Sequence, residues 1–172
     1  MKKESDAINK LINIQSEVSC HYLIKNNGKI IKIVPNLYIA WHAGKSSWKK
    51  YRSLNKYSIG IEITNPGSEF GYKKFSKKQI SAILRLSKFL VKKYKIDNKN
   101  ILGHSDVSPE RKKDPGEKFP WKYLSQNKIG LWHTLKDKEL KKNRKFKTNK
   151  KEKDFFFKNL FKIGYSNKIP KD

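Results

Sequence analysis

Residues 18–34 read VSCHYLIK, NNG, KIIKIV: two β-rich runs on either side of an Asn-Gly turn. Asn and Gly tolerate the positive-φ conformations of a tight hairpin turn, so this stretch predicts two antiparallel strands. Pro35, with no N–H to offer a ladder, ends the second of them. The hairpin commits the chain to a sheet, and the other elements are read around it.

Ahead of it, residues 5–14 carry Ala7, Ile8, Leu11 and Ile12 at helical spacing. After it, IAWHAG (39–44) predicts a strand end or loop. KSSWKKYRSLNKY (45–57) has no steady period and predicts a loop. SIGIEITN (58–65) is a compact apolar strand, stopped by Pro66 and Gly67. Alternation places Ile59, Ile61 and Ile63 on one face and Gly60, Glu62 and Thr64 on the other. The longest helix is predicted over 76–95. Ser76 and Gln79 form a capping box, and Ile80, Ile83, Leu84, Leu90, Val91 and Tyr94 form one stripe opposite a face of lysines. Residues 101–104 predict a further short strand, and 120–126 a short helix with Pro120 in its first turn.

The composition changes beyond residue 133. Residues 134–153 are rich in lysine and poor in large apolar side chains, which predicts a linker or frayed helix. Residues 154–172 begin with the apolar DFFFKNLFKIGY, a helical tail too short to fold alone that must dock on something. The expected division is therefore a domain over 1–133, a basic linker over 134–153 and a short helical tail over 154–172.

With 36% apolar and 12% aromatic residues, the chain can support one core. Its formal charge of +26, from 41 basic and 15 acidic residues, favours polyanions such as nucleic acid, acidic lipid or an anionic wall polymer. The joint abundance of Lys, Asn and Ile also fits drift toward AT-rich codons, and no nucleic-acid-binding signature accompanies the charge. Specific nucleic-acid binding is therefore not expected. Electrostatic contact of the basic tail with an anionic wall or membrane is expected, as is a monomer. The single Cys20 excludes an intrachain disulfide. MKKESDAINK lacks the apolar segment of a signal peptide. The expected location is the cytoplasm, or the periplasm or cell envelope if an export segment precedes this sequence.

The chemistry-bearing residues cluster in two motifs. His104, ten residues before Asp114 in GHSDVSPERKKDPG, offers an imidazole and a carboxylate that can hold zinc, although each alone can serve a structural hydrogen bond or a turn. Lys112 can stabilise an oxyanion or simply be solvated. Glu62, inside an apolar strand, either faces solvent or acts as a general base with a raised pKa. Trp41 and His42 can contact a ligand, and Trp41 can equally be core. His21 fits a satisfied core histidine, and His133 lies near the tail.

VSCHYLI, AWHAG, YSIGIEITNPG and GHSDVSPERKKDPGEKFPW occur in this order and at suitable spacing over residues 17–132. Together they resemble the type-2 N-acetylmuramoyl-L-alanine amidases, the AmpD/AmiD group related to peptidoglycan recognition proteins. The resemblance implies an α/β fold with a central mixed β-sheet flanked by helices. It implies zinc-dependent hydrolysis of the amide between N-acetylmuramic acid and L-alanine in peptidoglycan or muropeptides. On it, His104 and Asp114 match zinc ligands, Glu62 the catalytic carboxylate and Lys112 the lysine that stabilises the transition state. Trp41, His42 and Asn65 match substrate-binding positions, and Cys20 is expected near the metal. One departure stands out: the family's first zinc ligand is a histidine on an N-terminal strand, and no residue before Val18 is histidine. This keeps a second expectation alive, a catalytically impaired remnant or a muropeptide-binding protein with an unpaired sheet edge. The tail segment KNLFKIGYSNKIP is similar to the opening helix of a peptidoglycan-binding module.

Overall fold

The computed structural model describes residues 4–67 and 70–166. Its elements are α1 (Glu4–Ile12), β1 (Tyr22–Ile24), β2 (Ile30–Lys32), β3 (Ser47–Trp48), β4 (Tyr51–Arg52), β5 (Ile61–Ile63), α2 (Lys77–Tyr94), α3 (His104–Val107), α4 (Trp121–Gln126), α5 (Asp137–Asn143) and α6 (Lys150–Ile163).

The predicted hairpin forms, with Tyr22 opposite Lys32 and Ile24 opposite Ile30. Gly28, at φ +82°, makes the turn and lets it approach α2 closely: a Cβ there would lie 2.7 Å from the Lys78 carbonyl oxygen. β5 pairs parallel to β1 on its other side, Leu23 beside Glu62, so the sheet order is β2-β1-β5 and the sheet is mixed. Among the described residues β5 pairs with no strand beyond β1.

Alternation along β1 divides the interior. Tyr22 and Ile24, with Ile61 and Ile63, pack on Ala82, Ile83, Leu86 and Leu90 of α2 and on Phe75, Phe119, Leu124 and Ile129. Leu23 faces the other way and packs with Cys20 and with Leu11 of α1. Each fully buried side chain such as Leu23 or Ile24 contributes about 1.5–3 kcal/mol. α2 has its expected capping box, and the buried Gln79 also donates from Nε2 to the Thr64 carbonyl at 2.7 Å, tying the helix to the end of β5. On α2, Ala82 and Leu86, outside the expected stripe, are buried, while Tyr94 of the stripe is exposed, its hydroxyl accepting from Asn36 Nδ2.

Two local expectations need correction. Residues 45–57 are not all loop: β3 and β4 form a four-residue ladder, which burial of Trp48 with Ala43, Leu54 and Val107 holds in place. Residues 101–104 form no strand. The Gly103 N–H donates to the Asp106 carboxylate at 2.7 Å instead of to a ladder, and His104 begins the helical turn α3. The apolar run there reflects Leu102 packed beside Val107.

In the tail, α5 is exposed, and Phe155, Phe156 and Phe161 of α6 stay exposed. What docks is its end: Tyr165 enters the Trp48 cluster. Among the described residues no helix is long and apolar enough to cross a membrane.

α1 is pinned by one carboxylate. Glu4 Oε1 accepts from the Asn26 N–H (2.7 Å) and the Thr64 hydroxyl (2.8 Å), and Oε2 lies 3.1 Å from Lys25 Nζ. Partial burial pushes the Glu4 pKa up, but these hydrogen bonds and the Lys25 charge outweigh it and leave it below its ordinary 4.5. A depressed folded-state pKa adds stability that is present above the unfolded value and lost as pH falls through the folded one. Urea unfolding of the wild type and Glu4→Gln should therefore differ most at neutral pH, with the gap closing below about pH 4.5. A gap that stays constant down to pH 3 would contradict this role.

Candidate active site

Two loops converge beside β5. The first, 39–44, reaches the sheet through backbone pairing: Trp41 N–H donates to Ser19 Oγ, and the Trp41 carbonyl accepts from Ser19 N–H. Asn55 Oδ1 accepts from the N–H groups of both His42 and Ala43, at 3.1 and 2.7 Å, and so fixes the turn that presents His42. The His42 ring lies directly on Gly60, where a Cβ would sit 2.2 Å from its Cγ. Glycine at the centre of the IGIE motif is what lets the ring come down on the strand. Burial, then the His21 and His104 charges, lower the His42 pKa to about 4, so its imidazole is neutral near pH 7.

The second loop carries His104 and Asp114. Gly103 lets Pro115 pack against it, since a Cβ there would meet Pro115 Cδ at 2.7 Å. The Asp114 carbonyl accepts from Ser105 N–H at 2.9 Å, and Tyr72 donates its hydroxyl to the Pro115 carbonyl at 2.7 Å. These bonds fold the DPG turn back over the helical turn, and His104 Nδ1 ends 3.2 Å from Asp114 Oδ2. His104 Nε2 faces the Ala43 carbonyl at 3.1 Å.

Arg111 and Ser108 staple the two loops together. Arg111 Nη2 donates to the Ala43 carbonyl at 2.8 Å, and the Ser108 hydroxyl donates to the Lys45 carbonyl at 2.9 Å. Between the loops lies an open cavity of about 370 Å³, lined by Glu17, Val18, Trp41, His42, Gly44, Asn55, His104, Arg111 and Lys112. A second depression, of about 380 Å³, is lined by Asn27, Gly28, Lys77, Lys78, Ser81 and Arg85, a set with no carboxylate or imidazole for acid–base work.

The charges of this region act on one another. Solvent reaches Glu62, but the protein packed around it and the Asp114 carboxylate raise its pKa, against the pull of His104 and Lys112. At Asp114 burial raises, yet the hydrogen bond and charge of His104, with Lys112, prevail and hold the pKa below the ordinary carboxylate value. His104 and Lys112 thus act on both carboxylates, and the Asp114 charge acts on Glu62.

Cys20 is buried with Leu11 and Leu23. Burial and the Glu62 charge push its thiol up to about 12, offset in part by a hydrogen bond with the Glu62 backbone. It adjoins the strand that carries Glu62 and is absent from the cavity lining. His21 is a structural tie: its Nδ1 accepts from Gly60 N–H and its Nε2 bonds the Tyr38 carbonyl, both at 3.0 Å. Asn65 does not reach the cavity. Its Nδ2 donates to the Lys73 carbonyl and its Oδ1 accepts from Gly67 N–H, so its amide organises its own loop. Arg111 and Asn55 escaped the sequence reading. Arg111 is hidden in a run of bases, and Asn55 acts only through the fold.

His104 and Asp114 have donor chemistry that suits zinc. With Nε2–H donating to Ala43, the lone pair of Nδ1 faces a carboxylate oxygen at 3.2 Å, a repulsion that a proton or a cation removes. Zinc bonds of about 2.0–2.2 Å at a tetrahedral angle put such donors about 3.3 Å apart. Among the described residues no further His, Cys, Asp or Glu joins them to make a group of three.

The comparisons with known proteins agree with this geometry. The N-acetylmuramoyl-L-alanine amidase family, Amidase_2, matches residues 2–117. The N-acetylmuramoyl-L-alanine amidase AmiD of Escherichia coli is 41% identical over 128 residues, 67% of this chain and 46% of that protein. The 1,6-anhydro-N-acetylmuramyl-L-alanine amidase AmpD of Haemophilus influenzae is 39% identical over 116 residues, 66% of this chain and 61% of that one. The chain thus spans about half the length of these relatives. The solved complex of E. coli AmiD with its substrate, anhydro-N-acetylmuramic acid-L-Ala-D-γ-Glu-L-Lys, superposes with a TM-score of 0.81 at 32% identity, covering 96% of this chain and 68% of that one.

Gly60→Ala should lower stability by about 1–3 kcal/mol through overpacking and displace the His42 ring. Urea denaturation, with the His42 ring signal in NMR, measures both. An alanine variant with unchanged stability and an unmoved His42 signal would refute the close approach.

Proposed function

Because the chain belongs to the type-2 N-acetylmuramoyl-L-alanine amidase family, we propose that it hydrolyses the amide between N-acetylmuramic acid and L-alanine in peptidoglycan or muropeptides, in cell-wall degradation or recycling. The observation that carries the reading is geometric: His104 Nδ1 lies 3.2 Å from Asp114 Oδ2, and His104 and Lys112 line one open cavity together with Trp41 and His42.

In this reading Glu62 is the general base. Its raised pKa brings it closer to the working pH, where a base combines availability with proton affinity. It takes the proton of the attacking water and returns it to the leaving amine. Lys112, at the cavity wall, holds the oxyanion that forms at the scissile carbonyl. Trp41 offers an exposed aromatic face to the sugar or stem peptide. The neutral His42 lines the same wall. His104 and Asp114 would hold zinc, which when bound supplies Lewis acidity and an activated water. Arg111 keeps the His104 loop against the Ala43 carbonyl. The exposed basic segment 134–153 adds a long-range attraction to anionic wall polymer or membrane.

One observation favours a second reading, a muropeptide-binding protein. A catalytic zinc takes three protein ligands, and among the described residues His104 and Asp114 gain no third partner of that kind.

Two outcomes test these readings. Glu62→Gln should lower kcat/KM on an anhydro-muropeptide by about 10²–10⁴-fold while the peptide still binds. Unchanged hydrolysis would remove Glu62 from the mechanism. Purified full-length chain should carry zinc at near one per molecule, and a chelator should strip it together with amidase activity. Muropeptide binding without zinc or turnover would instead establish the second reading.

A further inference from the structure

The Asp106 carboxylate serves two masters. Its Oδ2 accepts from the N–H of Gly103, the residue immediately before His104, at 2.7 Å. Its Oδ1 accepts from the hydroxyl of Tyr165, 59 residues further along the chain, at 2.5 Å. Only Ser105 separates Asp106 from His104, so the phenol of the C-terminal segment is linked through one carboxylate to the turn that aims the imidazole.

The turn needs such help. α3 has four residues, and a single helical turn does not hold itself. The docking of Tyr165 is specific. Its ring meets the edge of Trp48 at 5.1 Å between centroids, inside the cluster of Ala43, Trp48, Leu54 and Val107. The Gly164 carbonyl accepts from Lys49 N–H at 2.7 Å. Gly164 itself, at φ +138°, sits so close that a Cβ would be 2.9 Å from the Trp48 ring. Ala43, whose carbonyl faces His104 Nε2, belongs to the same cluster. Burial and the Asp106 charge raise the Tyr165 pKa, so the phenol remains a donor throughout the working range.

We propose that Tyr165 is a positioning residue for His104, acting through Asp106 to set the turn from which the imidazole meets Asp114. The segment following α6 is then part of the site's scaffold. The proposal rests on the reading of His104 as a site residue. Removing the hydroxyl leaves Asp106 Oδ1 to water and frees the turn to rotate, which moves Nδ1 relative to Asp114. No contact with substrate is involved, so the effect falls on kcat and on metal affinity more than on KM.

The test uses the full-length chain with Tyr165→Phe, which keeps the ring in its cluster. The His104 imidazole signals in ¹⁵N NMR should shift or broaden, while those of the distant His133 stay. Zinc affinity, measured by competition with a chromophoric chelator, should fall by about tenfold, the scale of an outer-shell effect, and kcat should fall with it at constant KM. Asp106→Asn removes the same link from the other side, so the double variant should be no worse than Asp106→Asn alone, with the non-additivity reporting the coupling. His104 signals, zinc affinity and kcat that all match the wild type in Tyr165→Phe would overturn the proposal. If the wild type has no amidase activity but the His104 signals still move in Tyr165→Phe, the strut stands and the hydrolytic reading fails.

Discussion

Gly60 is the point on which the rest of the structure turns. Its carbonyl accepts from the N–H groups of His21 and Tyr22, and its own N–H donates to His21 Nδ1. Those bonds fix the parallel register of β5 against β1, and the register places Glu62 beside Leu23. With no side chain, Gly60 also admits the His42 ring, which brings the 39–44 loop over the sheet. A one-residue slip in β5 would turn Glu62 toward α2 and expose the isoleucines. The register, the placement of Glu62 and the cavity wall are therefore consequences of one small residue with all its polar atoms in use.

Much of this was legible because it depends on neighbours in sequence. The hairpin followed from NNG between β-rich runs, and α2 from Ser76 and Gln79 at capping-box spacing. The alternation in IGIEIT put Ile61 and Ile63 on the core face and Glu62 on the other, as found. His21 was read as a satisfied core histidine, and its two hydrogen bonds bear this out. What was not legible depends on distance. An apolar Ile-Leu pair before His104 reads as a strand, and only the Asp106 carboxylate at the Gly103 N–H shows why the chain turns helical there. The β3–β4 ladder has no periodic signature, because the burial of Trp48 and not the pattern holds it. Asn65 shares its motif with Glu62 but spends its amide on residues 67 and 73. Arg111 and Asn55 bond backbone carbonyls and N–H groups far away in sequence, a role that one-dimensional spacing does not encode.

The site also shows why net charge is a poor guide to chemistry. With 41 basic residues among 172, any lysine is by default a solvated one. What singles out Lys112 is its place on the cavity wall and its influence on both Glu62 and Asp114. Lys113 shares its charge but is not among the cavity's lining residues, and Arg111 lines the cavity with its guanidinium spent on backbone carbonyls. Arg111 turns inward to the Ala43 carbonyl and becomes a staple, so adjacent bases divide between structure and chemistry by the direction in which the loop sends them.

The two acidic groups of the site are pushed in opposite directions, and that separation assigns their roles in the proposed reaction. Asp114 hydrogen-bonds His104, and the imidazole and Lys112 keep it ionised, as a metal ligand must be. At Glu62 the protein packed around the carboxyl raises the pKa most, and the Asp114 carboxylate adds to it, because two like charges at close range resist joint ionisation. The first proton taken up therefore goes to Glu62. A carboxylate that binds a proton more readily than its neighbour can carry it from water to amine, and the one that does not can remain a ligand throughout the cycle. Exchanging the two residues would preserve the charge of the site, but each position would keep its own environment: the packed protein around position 62 and the imidazole hydrogen bond at position 114.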